Sequence, residues 1–298
     1  MQTLRDIVVV LDDSPASAMR LDLAVALAQQ HDAHLTGFSA LDLLVPPRSV
    51  TQPRVPPLLD TLSASQVLNW SSVTVASYPD GDGQAAEKAE GIEARFRDRL
   101  RSGALRGEWC MTDGNVSEAV VSRARHADLV ILGQVDPDHP PPPQGRQLAE
   151  DVLMTSGSPI LVVPYIGRFE TCGTKVLIGW NNSREAARAV SDAMPMLAKA
   201  SSITILEASP VARKQAANDV TGADVASHLA HHGINARSAR TVLNGIAASD
   251  ILLSYAADLT ADLLVVGGYG HSRLRELILG GVTRGLLQHM TLPVLMSH

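Results

Sequence analysis

Ala261-Asp262-Leu263-Leu264-Val265-Val266-Gly267-Gly268-Tyr269-Gly270, followed by Gly280-Gly281-Val282-Thr283, joins an apolar run to two groups of glycines. The run has the length of one buried strand, and the second glycine pair precedes a helical pattern. Glycines at such points admit positive φ and let a ligand approach the main chain. A helix start also offers free N–H groups and a partial positive charge, which together suit a phosphate. A tight strand-to-loop turn that binds nothing satisfies the glycines equally well.

The spacing separates these glycines from the common phosphate loops. After Gly268 and Gly270 the third position of a G-x-G-x-x-G fingerprint is Arg273, and no Gly-Lys-Ser/Thr follows Gly267. What the chain does carry is Gly267, two residues, Gly270, nine residues, Gly280. This pattern resembles the ATP-binding loop of the universal stress protein family. Ala261-Asp262-Leu263 ahead of it, and Leu292-Pro293-Val294-Leu295-Met296 as a closing strand, resemble the same family.

A second copy of the pattern lies upstream. Ala127-Asp128-Leu129-Val130-Ile131-Leu132-Gly133 mirrors Ala261 to Gly267, and Ser158-Pro159-Ile160-Leu161-Val162 mirrors Leu292 to Met296 at the same offset. The starts also match, with Ile7 to Ser14 against Lys175 to Ser183. In each, a strand ends in a polar turn and a hydroxyl residue precedes an alanine-rich helix, as an N-cap would. An internal repeat of this kind implies two copies of one domain. The expectation is an α/β chain of two tandem doubly wound, Rossmann-like domains, residues 1–166 and 174–298, each with a five-stranded parallel sheet.

In the second copy, strands are expected near 175–180, 202–208, 236–242, 262–267 and 293–297, and helices near 183–199, 219–232, 246–258 and 281–290. The strands are continuous apolar runs, as when helices cover both sheet faces. Ligands of such sheets sit at the carboxyl ends of strands near the point where strand order reverses, which places Asn181 and Gly267 on one edge. By the resemblance, the last strand of each copy pairs with the other, making an internal pseudo-dimer, and two chains form a homodimer.

Composition agrees with a globular chain. It has 298 residues, 45% hydrophobic and 19% charged, with a net charge of −6 that gives no reason to expect nucleic-acid binding. No apolar run approaches the roughly 20 residues of a membrane span. The start runs directly into a strand without a leader pattern, and Cys110 and Cys172 form no metal spacing or disulfide framework. A cytoplasmic location is expected.

The two copies differ at the loop. Where the second has its glycines, the first has Gly133-Gln134-Val135-Asp136-Pro137-Asp138-His139 and four prolines, with Asp136, Arg146 and Gln147 matching Gly270, Gly280 and Gly281. Proline removes N–H donors and acids repel phosphate, so this copy reads as degenerate. A further proline-rich stretch, Pro46 to Pro57, replaces the second crossover.

The resemblance implies ATP or another adenine nucleotide, with Mg where a triphosphate needs it. It places phosphates at Gly267, Gly270, Gly280, Gly281, Val282 and Thr283, the ribose at Asn181 and the base at Ala208. The family's acid at the end of the first strand is present as Asp12 but is replaced by Asn181 in the second copy. Its hydroxyl residue after the last glycine is replaced by Gly281. An amide oxygen still accepts a hydrogen bond, and two lost contacts would weaken binding about tenfold to a hundredfold.

Arg273 is either a phosphate clamp or, like Arg275, a solvated partner of Glu276. His231 and His232 suit the end of a helix better than a metal, Ser14 suits an N-cap better than a nucleophile, and Cys110, Met194 and Met196 suit a core. No general base with a partner stands near the glycines, so at most weak ATP hydrolysis is expected. Three readings stay open: a nucleotide-binding stress protein, a scaffold of the same fold that binds no nucleotide, and an adenylyl-transferase or hydrolase-like enzyme.

Overall fold

In the computed structural model, residues 3–40, 43–44, 83–112, 115–209, 220–269 and 281–298 are described. The first half runs β1 (Asp6–Val10), α1 (Pro15–His31), β2 (His34–Ala40), α2 (Gly83–Gly103), β3 (Gly107–Thr112), α3 (Val116–Ala124), β4 (Leu129–Gly133), α4 (Leu148–Thr155) and β5 (Ile160–Val163). The second runs β6 (Lys175–Trp180), α5 (Arg184–Leu197), β7 (Ser202–Ser209), α6 (Gly222–His231), β8 (Arg237–Val242), α7 (Ala248–Asp258), β9 (Leu263–Gly267), α8 (Gly281–His289) and β10 (Val294–Ser297). Every element expected in the second half is present, with ends that coincide or shift by at most three residues. The proline-rich stretch from Pro46 to Pro57 lies outside the described residues.

All ten strands share one sheet in the order β3-β2-β1-β4-β5-β10-β9-β6-β7-β8. Within each half the pairs are parallel, and the halves meet in the antiparallel pair β5–β10, with Val294 opposite Val162 and Met296 opposite Ile160. The two expected five-stranded sheets are therefore fused edge to edge through the strands expected to join them. Burial explains why. Ile160, Leu161, Val294 and Met296 carry no polar side chain to tolerate an open edge, and all are buried in the pair. The outer strands β3 and β8 are half exposed and carry Glu108, Arg237 and Arg240. Charges of this kind discourage further pairing.

Two apolar layers cover the sheet. One joins α1, α2, α5 and α6 to residues such as Val9, Ile131, Ile178 and Val265; the other joins α3, α4, α7 and α8 to Val8, Val130, Leu177 and Val266. Each layer crosses the junction between the halves.

The repeat also has a polar basis. The Asp128 carboxylate accepts N–H bonds from Arg5 and Asp6 at 2.6 and 3.0 Å. Asp262, its counterpart, accepts from Gly173, Thr174 and Lys175 at 2.8–3.1 Å. Each acid thus secures the start of the neighbouring first strand, in a place where backbone donors would otherwise lack partners.

The helix starts differ in one respect from expectation. Ser183 caps α5 by accepting the Ala186 N–H at 3.1 Å. Ser14 holds the same position before α1 but makes no side-chain cap, because its hydroxyl donates to Asp12 Oδ1 instead. Pro15 starts that helix, where a missing N–H costs nothing and φ is already suitable.

Candidate functional site

Strand order reverses between β6 and β9. From β6 the chain moves outward to β7 and β8, then returns to lay β9 and β10 on the other side. Gly179 pairs with Val266 and Trp180 with Glu207, so the carboxyl edge brings Asn181, Ala208 and Gly267 together. These three belong to the sequence-derived set. Gly281, Val282 and Thr283 form the first turn of α8. Gly270, Arg273 and Gly280 lie outside the described residues.

Each glycine has its own physical reason. A Cβ on Gly267 would stand 2.4 Å from the Ala186 nitrogen, so the first turn of α5 rests directly on this strand end. On Gly268 it would meet Leu153 of α4 at 2.6 Å. Gly281 has nothing within 4 Å of that position. Packing therefore requires the first two glycines and leaves the third facing open space, beside exposed Val282.

Asn181 is exposed, and its amide oxygen accepts from both Ser183 N and Ser183 Oγ, at 3.2 and 2.7 Å. The amide oxygen does accept, as expected of it, but the donors are those of the turn into α5. Thr283 is 4% exposed, and its hydroxyl accepts the Tyr269 N–H at 3.1 Å. It ties the loop entrance to α8 and holds Tyr269 in the left-handed region at φ 52°.

Two acids border this edge. The buried Glu185 carboxylate meets Arg184 Nε at 2.5 Å, and Glu207 meets Arg240 Nε at 2.9 Å. Burial alone would raise the Glu185 carboxyl, but the bonds from Arg184 and backbone donors outweigh it and keep the group below its ordinary value. Neither acid was singled out by the motif, since both lie outside the glycine spacing.

The matching edge of the first half is closed by a residue that the glycine pattern missed. Arg20 is 3% exposed; its Nε donates to the Val10 carbonyl at 2.7 Å and its Nη2 to Asp12 Oδ2 at 2.8 Å. A Cβ on Gly133 would fall 1.8 Å from Nη1, so the guanidinium lies on that glycine. Burial alone would raise the Asp12 carboxyl, yet Arg20 and the bonds from Ser14 hold it below its ordinary value. The position matching Arg20 in α5 is buried Ala189. The signal available in sequence was an arginine four residues from Ala16 and from Ala24, on the apolar stripe of α1.

The remaining candidates hold no chemistry together. Among the described residues no group of three His, Cys, Asp or Glu could hold a metal ion. His231 and His232 are exposed at the end of α6, Met196 is buried, and Met194 is half-buried against the core. Cys110, expected in a core, is only half-buried because β3 is the outermost strand. No helix among the described residues is long and apolar enough to cross a membrane.

Residues 174–298 match the sequence profile of the universal stress protein family. A universal stress protein of Synechocystis sp. is 40% identical over 48 residues, a segment that covers 16% of this chain and 17% of that protein. The crystal structure of a universal stress protein from Archaeoglobus fulgidus DSM 4304 is similar at a TM-score of 0.66 and 13% identity, covering 98% of this chain and 97% of that one. A functionally unknown protein from Pseudomonas aeruginosa PAO1 gives 0.56 and 15%, covering 99% and 92%. At these identities the structural likeness concerns the fold.

Proposed function

We propose that this chain, whose residues 174–298 match the universal stress protein family, binds one adenine nucleotide, ATP in the first instance, at the β6–β9 edge. The observation that carries the reading is one carboxyl edge that gathers Asn181, Ala208 and Gly267, beside a helix start where Gly281 has nothing within 4 Å of its missing side chain. Phosphates would lie against backbone N–H groups at Gly281 and Val282, with Gly270, Gly280 and Arg273 on the loop between, and Mg alongside a triphosphate. Gly267 shapes the strand end and Thr283 orders the loop entrance. The ribose would take the Asn181 NH2 through one of its oxygens, and the base would lie by Ala208.

The division into domains at 166 and 174, a cytoplasmic stress-response role and a homodimer belong to the same proposal. A regulatory role belongs to it too, with at most weak turnover of bound ATP.

Titration calorimetry with ATP, ADP and AMP in the presence of magnesium tests the reading. Binding of one nucleotide per chain is expected, lost in Gly280→Val and retained in Asp12→Ala. A specific observation favours a second reading, a scaffold without nucleotide: both the Asn181 oxygen and the Thr283 hydroxyl oxygen are engaged within the protein. No heat or thermal shift at millimolar ATP would establish that reading over the first.

A further inference from the structure

Gln134 occupies, in the first half, the position held by Gly268 in the second. Its backbone repeats the role of that glycine, since Gln134 N donates to the Val163 carbonyl and Gly268 N to the Ser297 carbonyl, both at 2.8 Å. Its side chain does something the glycine cannot. It crosses the β5–β10 junction, and Nε2 donates to the carbonyls of Leu287 and Gln288 at 3.0 and 3.1 Å. The same amide accepts from Tyr165 N through Oε1 at 3.3 Å, so a buried side chain has donors and acceptor all engaged.

Those two carbonyls belong to the last turn of α8, where a helix leaves acceptors without intrahelical partners. The opposite end of α8 is the turn of Gly281, Val282 and Thr283. Thr283 is bonded to Tyr269 there, and Leu286 anchors the middle of the helix in the core. A nine-residue helix held at both ends has a fixed axis, and its first N–H groups then point in a fixed direction. The mirror arrangement is missing on the other side, where Gly268 offers no side chain and Leu153 of α4 packs on its bare backbone.

Resting on the nucleotide reading above, we infer that Gln134 is a positioning residue for the site in the other half: by clamping the carboxyl end of α8 it aims the phosphate-facing end. The degenerate half thereby serves the intact one. Its loop carries, in place of a glycine that receives Leu153 of α4, a side chain that supports the neighbouring helix.

Hydrogen exchange and calorimetry on the full chain and its Gln134→Ala variant test this. Without nucleotide, the variant should exchange faster at α8 amides than the parent, with α4 unchanged. With ATP, its Kd should rise about threefold to tenfold, the worth of one to two ordinary hydrogen bonds, at a temperature where both proteins are folded. Arg188→Ala is the control, because it removes a different bond across the junction, Arg188 Nη2 to the Gly157 carbonyl at 3.3 Å. It should leave Kd unchanged even where it lowers stability. Unaltered α8 exchange in Gln134→Ala overturns the clamp with no nucleotide involved. A Kd shift equal to that of Arg188→Ala overturns the positioning role and leaves nucleotide binding standing. A parent chain that takes no ATP overturns the nucleotide reading, and the positioning role with it.

Discussion

Arg20 and Ala189 show how one residue can decide what a repeated edge does. An arginine in α1 spans the crevice between β1 and β4 and satisfies both a strand-end carbonyl and the Asp12 carboxylate. An alanine at the matching place lets the α5 backbone settle on Gly267. Removing one partner of a buried ion pair leaves the other charge uncompensated, which typically costs about 3–5 kcal/mol. Arg20→Ala should fall near the lower end of that range, because Asp12 keeps some contact with solvent. Urea denaturation at pH 7 reads it, and a cost well under 1 kcal/mol would remove Arg20 from this account. The sign with pH is fixed by the direction of the Asp12 shift. Its folded value lies below the ordinary 3.8, so the pair's stabilisation is present above 3.8 and is lost as pH falls through the folded value. The gap between parent and variant should therefore close in acid. None of this was legible from glycines and prolines, which report on backbone freedom. The engagement of the Asn181 oxygen by Ser183 was equally hidden, since it depends on how the turn into α5 folds back on it.

At the level of elements, the apolar runs predicted strands well because helices cover both sheet faces, so a buried strand reads as continuous Val, Ile and Leu. β8 was placed nearly as well despite Arg237, Ser238 and Arg240, its position following from the order of the second half. What the runs could not convey was why each glycine is a glycine. Gly267 and Gly268 look alike in sequence, yet one receives the backbone of α5 and the other a side chain from α4. Gly281 receives nothing. This difference separates packing from binding by experiment. Gly267→Ala should destabilise the free protein by about 1–3 kcal/mol, the usual cost of an overpacked site. Gly281→Ala should leave the free protein unchanged or raise its stability by about 0.4–1 kcal/mol, because alanine loses less freedom than glycine on entering a helix. Its ATP affinity should nevertheless fall, a methyl group then standing where phosphate approaches. Paired melting curves and titrations on the two variants measure this. Gly281→Ala with full affinity would assign that glycine to the helix alone.

The whole molecule is built around a symmetry that the sequence repeat already implied. With the offset that matches Ala127 to Ala261, Leu161 corresponds to Leu295, and the two face each other across the β5–β10 pair. The pseudo-twofold axis therefore passes between them, with Val294 opposite Val162 and Met296 opposite Ile160. An axis placed this way makes each strand a stand-in for the other. Residues 174–298 alone should expose β10 as an apolar edge, and a second copy can meet it in the same antiparallel register, Leu295 against Leu295 and Val294 against Met296. Exposed edges of this kind invite such pairing. In the full chain both edges are consumed internally, and the outer strands β3 and β8 carry charged side chains, so association of two full chains has to use a different surface. The expected outcome is that the 174–298 fragment runs as a dimer in light scattering at micromolar concentration. Leu295→Lys should convert it to a monomer by placing two ammonium groups at the axis. A monomeric fragment with intact helix content would mean that β5 and β10 are joined by the covalent link between halves and not by their own complementarity.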